Sequence, residues 1–238
     1  MNTERLKKGL LNLQLPWDRQ IALRFERFHD ILDEYNRQMD LTAVLDEDER
    51  VDRHDLDSVA ALALTGFPEG AEIIDVGTGA GFPGIPLLIL RPDLQLTLLD
   101  AQQKRCAFLR EALTRLELTA RVVHARAEDA GQWPELREQF DVVVSRAVAT
   151  MGVLQELMLP LARTGGKSIA WKGPKGLEEL ESARRAAFLL GGHLLDPVSV
   201  QIPGRPDWSH LLLITEKIRP TPAKYPRKAG LPGKKPLA

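Results

Sequence analysis

Apolar side chains recur at intervals of three or four residues near the start of the chain, which places them on one face of a helix. They are Ile21, Phe25, Phe28, Leu32 and Tyr35. Proline suits the first turn of a helix, and Pro16 therefore predicts a helix that starts at Trp17 and ends near residues 36–40. A second helix is predicted over residues 46–64, before a stretch rich in glycine and proline at 66–70.

Short apolar runs then alternate with helical patterns. The runs cover residues 73–76, 94–99, 122–124, 142–144 and 168–171. Strands separated by helices pair in parallel through crossover connections. The intervening helices are predicted at 104–118, from Thr150 to residues 165–166, and at 177–190, where two glycines end the last one.

The final apolar runs, 193–202 and 210–215, are separated only by the turn-forming residues 203–207. No helix fits between them, so they predict an antiparallel hairpin. The predicted fold class is α/β, with a seven-stranded, mostly parallel sheet closed by this hairpin. The predicted units are an N-terminal helical extension (1–70), the sheet domain (71–216) and a C-terminal tail (217–238).

A glycine-rich loop, Asp-Val-Gly-Thr-Gly-Ala-Gly-Phe-Pro-Gly at 75–84, follows the first predicted strand. Its glycines allow positive φ angles and close approach of a ligand to the backbone. The free N–H groups of the following helix favour an electronegative group. Asp100 ends the next strand, where a carboxylate can accept hydrogen bonds from both hydroxyls of a ribose. The loop therefore predicts a site for an adenosine-containing cofactor.

Two cofactors satisfy this pattern. Residues 79–84 match G-x-G-x-x-G, and Asp100 lies where an NAD-binding acid would be, which is typical of a nicotinamide oxidoreductase. Asp75, directly before the glycines of this loop, can meet the ammonium group of a methionine moiety. That position and the closing hairpin favour S-adenosylmethionine (AdoMet). The chain also shows no second substrate domain of the kind that the oxidoreductase alternative requires.

Charge is distributed unevenly along the chain. The 32 Lys and Arg residues nearly balance the 33 Asp and Glu residues, but residues 217–238 contain seven basic residues, five prolines and no acidic residue. This composition predicts a flexible or extended tail. A basic tail on an acidic body suits a polyanion such as RNA, and a non-catalytic RNA-binding module is therefore another alternative.

The remaining composition argues against several classes of protein. Cys106 is the single cysteine, so no intrachain disulfide can form, and its place on an apolar helical stripe indicates a core residue. No apolar run approaches the roughly 20 residues of a membrane helix. The five histidines lack the spacing of metal ligands. We expect a soluble, cytoplasmic, monomeric protein without a metal ion.

Residues 75–86 resemble the first motif of the ribosomal RNA small-subunit methyltransferase G family, also called glucose-inhibited division protein B. The resemblance covers roughly residues 10–215, and the sequence departs from the usual pattern at Asp40 and Ala101. The basic ending resembles that of some members. Further matching segments are Asn36–Val44, Arg53–Ser58, Thr97–Asp100, Lys104–Arg105, Arg126–Asp129, Phe140–Asp141, Ser145–Ala147 and Lys172–Gly173.

The resemblance implies a class I, Rossmann-like methyltransferase that uses AdoMet to methylate N7 of a specific guanine in 16S rRNA of the small ribosomal subunit. The glycine loop and the resemblance together give a set of cofactor-binding residues. They are Gly77, Gly79, Phe82, Asp100, Ala127, Glu128 and Arg146. Among them, Asp100 is assigned to the ribose by its position after the second strand, and Ala127 and Glu128 are implied to face the adenine.

This chemistry predicts no catalytic acid or base. The sulfonium donor is already activated, and guanine N7 offers a lone pair without a proton to remove. The protein's work is then to align the reacting atoms. Candidate substrate contacts are Arg53, His54 and Lys172.

Each charged candidate also has a structural alternative. Arg53 and His54 can form hydrogen bonds with Asp57 or Ser58, which lie within one turn of the same predicted helix. Lys172 can cap its strand in water, and Glu128 can lie in a solvated loop. Arg146 can form an ion pair, for which Asp141 is the candidate partner.

Overall fold

The computed structural model describes residues 1–237. Its helices are α1 (Thr3–Asn12), α2 (Arg19–Met39), α3 (Glu47–Arg50), α4 (Asp57–Thr65), α5 (Gly84–Leu90), α6 (Gln103–Leu116), α7 (Ala127–Ala130), α8 (Met151–Met158), α9 (Leu180–Leu189) and α10 (Leu231–Lys234). Its strands are β1 (Glu72–Val76), β2 (Gln95–Asp100), β3 (Arg121–His124), β4 (Phe140–Arg146), β5 (Ala162–Lys172), β6 (Gly192–Leu194), β7 (Val198–Ser199) and β8 (Leu211–Lys217). Within residues 1–237, no helix is long and apolar enough to cross a membrane.

Helix α2 confirms the first predicted helix and buries its apolar stripe. It begins two residues later than expected because Asp18 is the N-cap, whose carboxylate accepts the Ile21 N–H at 2.8 Å. It ends as predicted, since Asp40 adopts a left-handed conformation with φ 47°. The helix therefore has a defined start and stop, and it packs Phe25 and Phe28 into the main core.

The second predicted helix is continuous from Glu47 to Thr65 but changes its winding. Residues Val51–Leu56 form a π-helix between α3 and α4. Such segments are rare in proteins, and those that occur are often found at functional sites. Gly66 ends the helix with φ 62°. The wider turn lies above the carboxyl end of the sheet, where the candidate residues Arg53 and His54 are found.

The strand order across the sheet is β3-β2-β1-β4-β5-β8-β6, with β7 also paired to β8. The first five strands are parallel, and β8 runs antiparallel to its neighbours. This confirms the mostly parallel sheet with a C-terminal hairpin. The expected strand at 193–202 is interrupted around Pro197, which has no N–H to donate, so eight strand segments occupy seven positions.

One predicted helix end is wrong. The helix expected to run from Thr150 to residues 165–166 stops at Met158, and both glycines belong to β5. The reason is close backbone packing, because a Cβ atom on Gly166 would lie 2.7 Å from the Asp141 carbonyl oxygen. Gly165 has φ 85° and accommodates the irregular start of the strand.

The expectation of a flexible tail is wrong for residues 217–237, because their side chains and backbone form hydrogen bonds and apolar contacts with the rest of the protein. The Lys217 ammonium donates to the carbonyls of Leu159 and Ala162 at 2.6 and 3.0 Å. Tyr225 is buried in a second cluster of apolar side chains, which includes Leu154 and Leu161. Composition alone gave no sign of these contacts. The division of the chain at residues 70 and 216 stays a prediction.

Candidate active site

The glycine-rich loop connects β1 to α5, and hydrogen bonds of its first residues fix its conformation. The Gly77 and Thr78 N–H groups donate to the Leu99 carbonyl at 2.8 and 3.2 Å. One Asp75 carboxylate oxygen accepts the Thr78 hydroxyl at 2.7 Å and the Gly84 N–H at 2.9 Å. These bonds fix the loop at the carboxyl end of β1.

Asp75 does not occupy the position expected for an ammonium contact. Its side chain is fully buried, and its second oxygen has no hydrogen-bond partner. Burial raises the pKa of the Asp75 carboxyl to about 6, although the hydrogen bonds from Thr78 and Gly84 act in the opposite direction. The residue therefore shapes the loop from within, and the sequence-based contact with a methionine ammonium is wrong for this structure.

Asp100 connects the end of β2 to the same loop. One of its carboxylate oxygens accepts the Gly79 N–H at 3.0 Å, and the other accepts the Gln102 N–H at 2.8 Å. A carboxylate has about four acceptor positions, so these two bonds leave further positions for a ligand's hydroxyl groups. Asp100 thus lies where the sequence placed it.

A cleft of about 380 Å³ opens above this loop. Its walls come from the π-helical segment, the glycine loop and the end of β4, where the chain order reverses between β1 and β4. Ligands of open α/β sheets bind at such points. The cleft brings together six of the sequence-predicted residues: Arg53, His54, Gly77, Gly79, Phe82 and Arg146.

His54 forms part of the cleft wall as a neutral imidazole. It stacks on Phe82 with ring centroids 4.6 Å apart, and its Nε2 atom lies 2.7 Å from the Thr42 hydroxyl. Burial, and next the charge of Arg146, lower the pKa of His54 to about 3. A neutral side chain cannot neutralise a phosphate, so His54 can contact RNA only through stacking or neutral hydrogen bonds. Ser58 donates to the His54 carbonyl, and the ring has a different partner.

Arg146 extends from the end of β4 over the same aromatic ring. Its guanidinium carbon lies 5.2 Å from the Phe82 ring centroid. One Nη atom donates to the Arg53 carbonyl at 2.8 Å and approaches a carboxylate oxygen of Asp57 at 3.3 Å. The ion-pair alternative is therefore confirmed with a different partner, since Asp141 pairs with an arginine of β5.

Asp57 is the residue that sequence reasoning missed. Its fully buried carboxylate accepts from Trp208 at 3.2 Å and from His210 at 3.0 Å as well as from Arg146. Its carbonyl accepts the Trp171 indole N–H at 2.8 Å. The sequence offered Asp57 only as a local partner for Arg53 or His54, and no local pattern could indicate contacts 89 to 153 residues away.

Besides Asp100, three predicted site residues lie outside the lining of the cleft. The Lys172 ammonium is 3.0 Å from a Glu179 carboxylate oxygen and donates to the Ala149 carbonyl at 3.1 Å. Ala127 and Glu128 begin α7, and the Glu128 carboxylate accepts the Gly230 N–H of the C-terminal segment at 2.8 Å. Their roles toward substrate and adenine stay predictions.

A larger cavity of about 610 Å³ lies at the opposite end of the strands, at the amino ends of β1 and β2. Ligands of this class of sheet bind at the carboxyl ends, so the cleft is the better candidate. Across residues 1–237, no three His, Cys, Asp or Glu side chains are grouped so that they could hold a metal ion.

The family model and the related proteins that match this chain all carry the same description. The family model described as rRNA small subunit methyltransferase G matches residues 21–205. The chain is 44% identical to the ribosomal RNA small subunit methyltransferase G of Alkaliphilus oremlandii, over 98% of this chain and 97% of that one. It is 46% identical to the protein of that name from Lactobacillus delbrueckii subsp. bulgaricus, over 90% of each chain.

A solved structure supports the fold alone. The branched-chain polyamine synthase of Thermus thermophilus, crystallised with N4-aminopropylspermidine and 5'-methylthioadenosine, superimposes with a TM-score of 0.57 at 15% identity. The match covers 83% of this chain and 64% of that chain. At this identity the likeness supports the α/β architecture and no assignment of substrate.

Proposed function

Because the chain belongs to the ribosomal RNA small subunit methyltransferase G family, we propose that it transfers a methyl group from AdoMet to N7 of one guanine in 16S rRNA. Membership makes the chain an AdoMet-dependent rRNA methyltransferase and replaces the nicotinamide oxidoreductase and the non-catalytic RNA-binding module. The observation that carries the proposal is the cleft between the glycine loop and the end of β4.

The residues of the cleft fit AdoMet. A Cβ atom on Gly79 would meet nothing nearer than the Gly77 carbonyl at 4.0 Å, so the loop backbone faces open space that a ligand can fill. Gly79 also donates to Asp100, which places a carboxylate beside that space for the ribose. Phe82 and Arg146 form the wall on the other side. We assign the cofactor contacts to Gly77, Gly79, Phe82, Asp100 and Arg146.

Bound AdoMet supplies a methyl group on a sulfonium sulfur; the N7 lone pair forms the new C–N bond while the C–S bond breaks and its electron pair stays on sulfur. No proton moves, so no residue has to act as a base. The protein contributes alignment and the electrostatic setting of the cleft. Asp57 matters in that setting, because its carboxylate offsets the charge of Arg146 where the methylated guanine becomes cationic.

The experiment that tests this function is transfer of labelled methyl from AdoMet to unmodified small ribosomal subunits and to their free 16S RNA. We expect the label in 7-methylguanosine after digestion to nucleosides. Subunits isolated after saturating methylation with unlabelled AdoMet serve as the control and should take up little label. Label in another nucleoside would contradict the N7 assignment, and no label in either substrate would contradict the rRNA target.

Three finer properties stay predictions. We infer that the protein acts as a monomer, in the cytoplasm and without a metal ion. Light scattering of the purified protein measures the first. Methyl transfer in the presence of a chelator measures the third, and we expect the rate to be unchanged.

A further inference from the structure

A second, smaller cavity of about 220 Å³ adjoins the cofactor cleft at the carboxyl ends of β4 and β5. The two spaces share Arg146, Ala147 and His210 in their linings. The far side of the small cavity is formed by Trp171, Ala149, Lys172 and Gly173. The proposed cofactor contacts leave this space unexplained.

Its position satisfies what methyl transfer requires of an acceptor site. The attacking nitrogen must lie in line with the methyl carbon and the sulfur, so the base has to enter a space that opens directly onto the cofactor cleft. The small cavity lies directly beside that cleft, with three lining residues in common. Ala147, in that lining, has φ 59°, a strained conformation for a residue other than glycine and one that clusters at active sites.

Its size and walls suit a single base. Sites for drug-sized ligands begin at roughly 300 Å³, and this cavity is smaller. Enzymes that act on a base within folded nucleic acid take it out of the stack into a pocket walled by aromatic and apolar groups. Trp171 provides such a wall, and its indole N–H is already satisfied by the Asp57 carbonyl at 2.8 Å.

His210 gives the cavity a polar group of defined hydrogen-bonding character. Its Nδ1 atom lies 3.0 Å from an Asp57 carboxylate oxygen, and an ionised carboxylate only accepts hydrogen bonds. Nδ1 therefore carries the hydrogen, and in the neutral form of the ring Nε2 is then an acceptor. Guanine carries ring and amino N–H donors on its pairing edge, whereas adenine has an acceptor at the ring position.

We propose that this cavity binds the guanine base that is methylated, with His210 as a residue that selects guanine. The proposal rests on the proposed function, because it names the acceptor subsite of that same reaction. It assigns the base to a space whose lining includes the end of β5, next to the cleft that the glycine loop forms for the cofactor.

The first test fills the cavity. Gly173 has an extended backbone with φ −74° and ψ −178°, and a Cβ atom there would meet nothing within 4 Å. Gly173→Leu is therefore compatible with the fold and occupies open space beside the cavity. We expect kcat/KM for 16S rRNA to fall about 100-fold, with the AdoMet Kd unchanged.

Thr119→Leu is the matched control. Thr119 is exposed, but it lies near the amino ends of the strands, away from the cavity and from the basic C-terminal segment. The control variant should methylate rRNA at the wild-type rate. Calorimetric titration with AdoMet and thermal melting, measured on both variants, show that the cleft and the fold are retained.

A second variant addresses selection of the base. We expect His210→Ala to lower kcat/KM for rRNA about tenfold, as removal of one hydrogen bond of about 1.4 kcal/mol would, with AdoMet affinity retained. His193→Ala, an exposed histidine of β6, is its control and should behave as wild type. This variant decides the question if Gly173→Leu fails to fold.

The outcomes separate the subsite from the function. If the wild type forms 7-methylguanosine and a folded Gly173→Leu is equally active, the proposed subsite is wrong and the proposed function stands. Wild-type activity in His210→Ala overturns the assignment of His210. If the wild type labels no guanosine in 16S RNA or subunits, the proposed function fails and the subsite fails with it.

Discussion

Arg146 and Asp57 form an ion pair in the wall of the cleft. Asp57 is fully buried and receives donors from Arg146, Trp208 and His210. A buried carboxylate that loses one of several hydrogen-bond donors is still stabilised by the others. Removal of Arg146 therefore costs less stability than removal of the sole partner of a buried carboxylate would. Arg146 can therefore be tested without unfolding the protein.

For Arg146→Ala we expect loss of methyl transfer and a decrease of about 2 kcal/mol in the free energy of unfolding, the value of one hydrogen bond to a charged group. Urea unfolding and labelled methyl transfer measure the two effects. Arg163→Ala, which removes an exposed pair with Asp141, should cost less than about 1 kcal/mol and keep activity. Wild-type turnover in Arg146→Ala would show that Arg146 has no role in methyl transfer.

Asp75 makes stability depend on pH in a defined direction. Its folded-state pKa of about 6 lies above the ordinary value of 3.8, so the folded protein retains a proton that the unfolded chain loses between these values. As the pH rises from about 4 to about 6, the group therefore lowers the free energy of unfolding, by about 3 kcal/mol in total. Below pH 4 it has no effect, because both states are protonated.

Asp75→Asn keeps an acceptor for Thr78 and Gly84 and removes this titration. We expect the variant to gain stability relative to the wild type as the pH rises from 4 to 7, measured by urea unfolding at several pH values. Asp196→Asn, at an almost fully exposed side chain, should follow the wild-type profile. Parallel profiles for wild type and Asp75→Asn would show that the Asp75 carboxyl has an ordinary pKa.

At the scale of elements, the C-terminal segment is tied to two carboxylates of the sheet domain. The buried Glu156 of α8 accepts the Arg227 backbone N–H at 2.8 Å and the Arg227 guanidinium at 2.5 to 3.0 Å. Glu128 accepts the Gly230 N–H. Deletion of residues 217–238 would therefore disturb α8 and a predicted adenine contact together, and it is not a clean test of RNA binding.

We expect Arg227→Met to lower the free energy of unfolding by about 3 kcal/mol, because it leaves the Glu156 charge buried without its partner. The double variant with Glu156→Gln should recover much of this decrease. Urea unfolding of the four proteins gives the coupling energy. A decrease below about 1 kcal/mol for Arg227→Met would mean that water solvates Glu156 in the folded state.

A feature could be predicted from the sequence when the residues that form it are close together in the chain. The glycine loop, Asp100 and the apolar stripe of α2 are local patterns, and the structure places them as expected. Asp57 meets His210 across 153 residues, and its role appears only in the folded chain. The end of α8 was missed because the close approach of β4 and β5 at Gly166 is a tertiary constraint.

At the scale of the whole molecule, the ordered C-terminal segment presents cations on an otherwise acidic protein. Lys224, Lys228, Lys234 and Lys235 are exposed, whereas Lys217 and Arg227 are used in internal contacts. Each phosphate that such a side chain neutralises releases counterions. We therefore expect these four exposed lysines to contribute the basic surface that binds RNA.

Replacement of these four lysines by glutamine should weaken 16S rRNA binding and reduce the slope of log K against log salt, by about 0.7 for each single-strand phosphate that is no longer neutralised. Filter binding over a salt series measures both, and AdoMet affinity should not change. Four exposed basic residues elsewhere, Lys8, Arg19, Arg37 and Arg121, replaced in the same way, form the control set. An unchanged slope in the four-lysine variant would show that RNA binds elsewhere.

The bond between Glu156 and Arg227 also has a consequence in time. A chain is synthesised from its N-terminus at roughly 5 to 20 residues per second, so the arginine follows its partner, 71 residues earlier, by about 4 to 14 s. During that interval α8 carries a carboxylate whose burial is unfavourable. The packing of α8 is therefore weaker until the C-terminal segment arrives, by about the 3 kcal/mol expected for Arg227→Met, and it gains its full stability only after Arg227 has emerged from the ribosome.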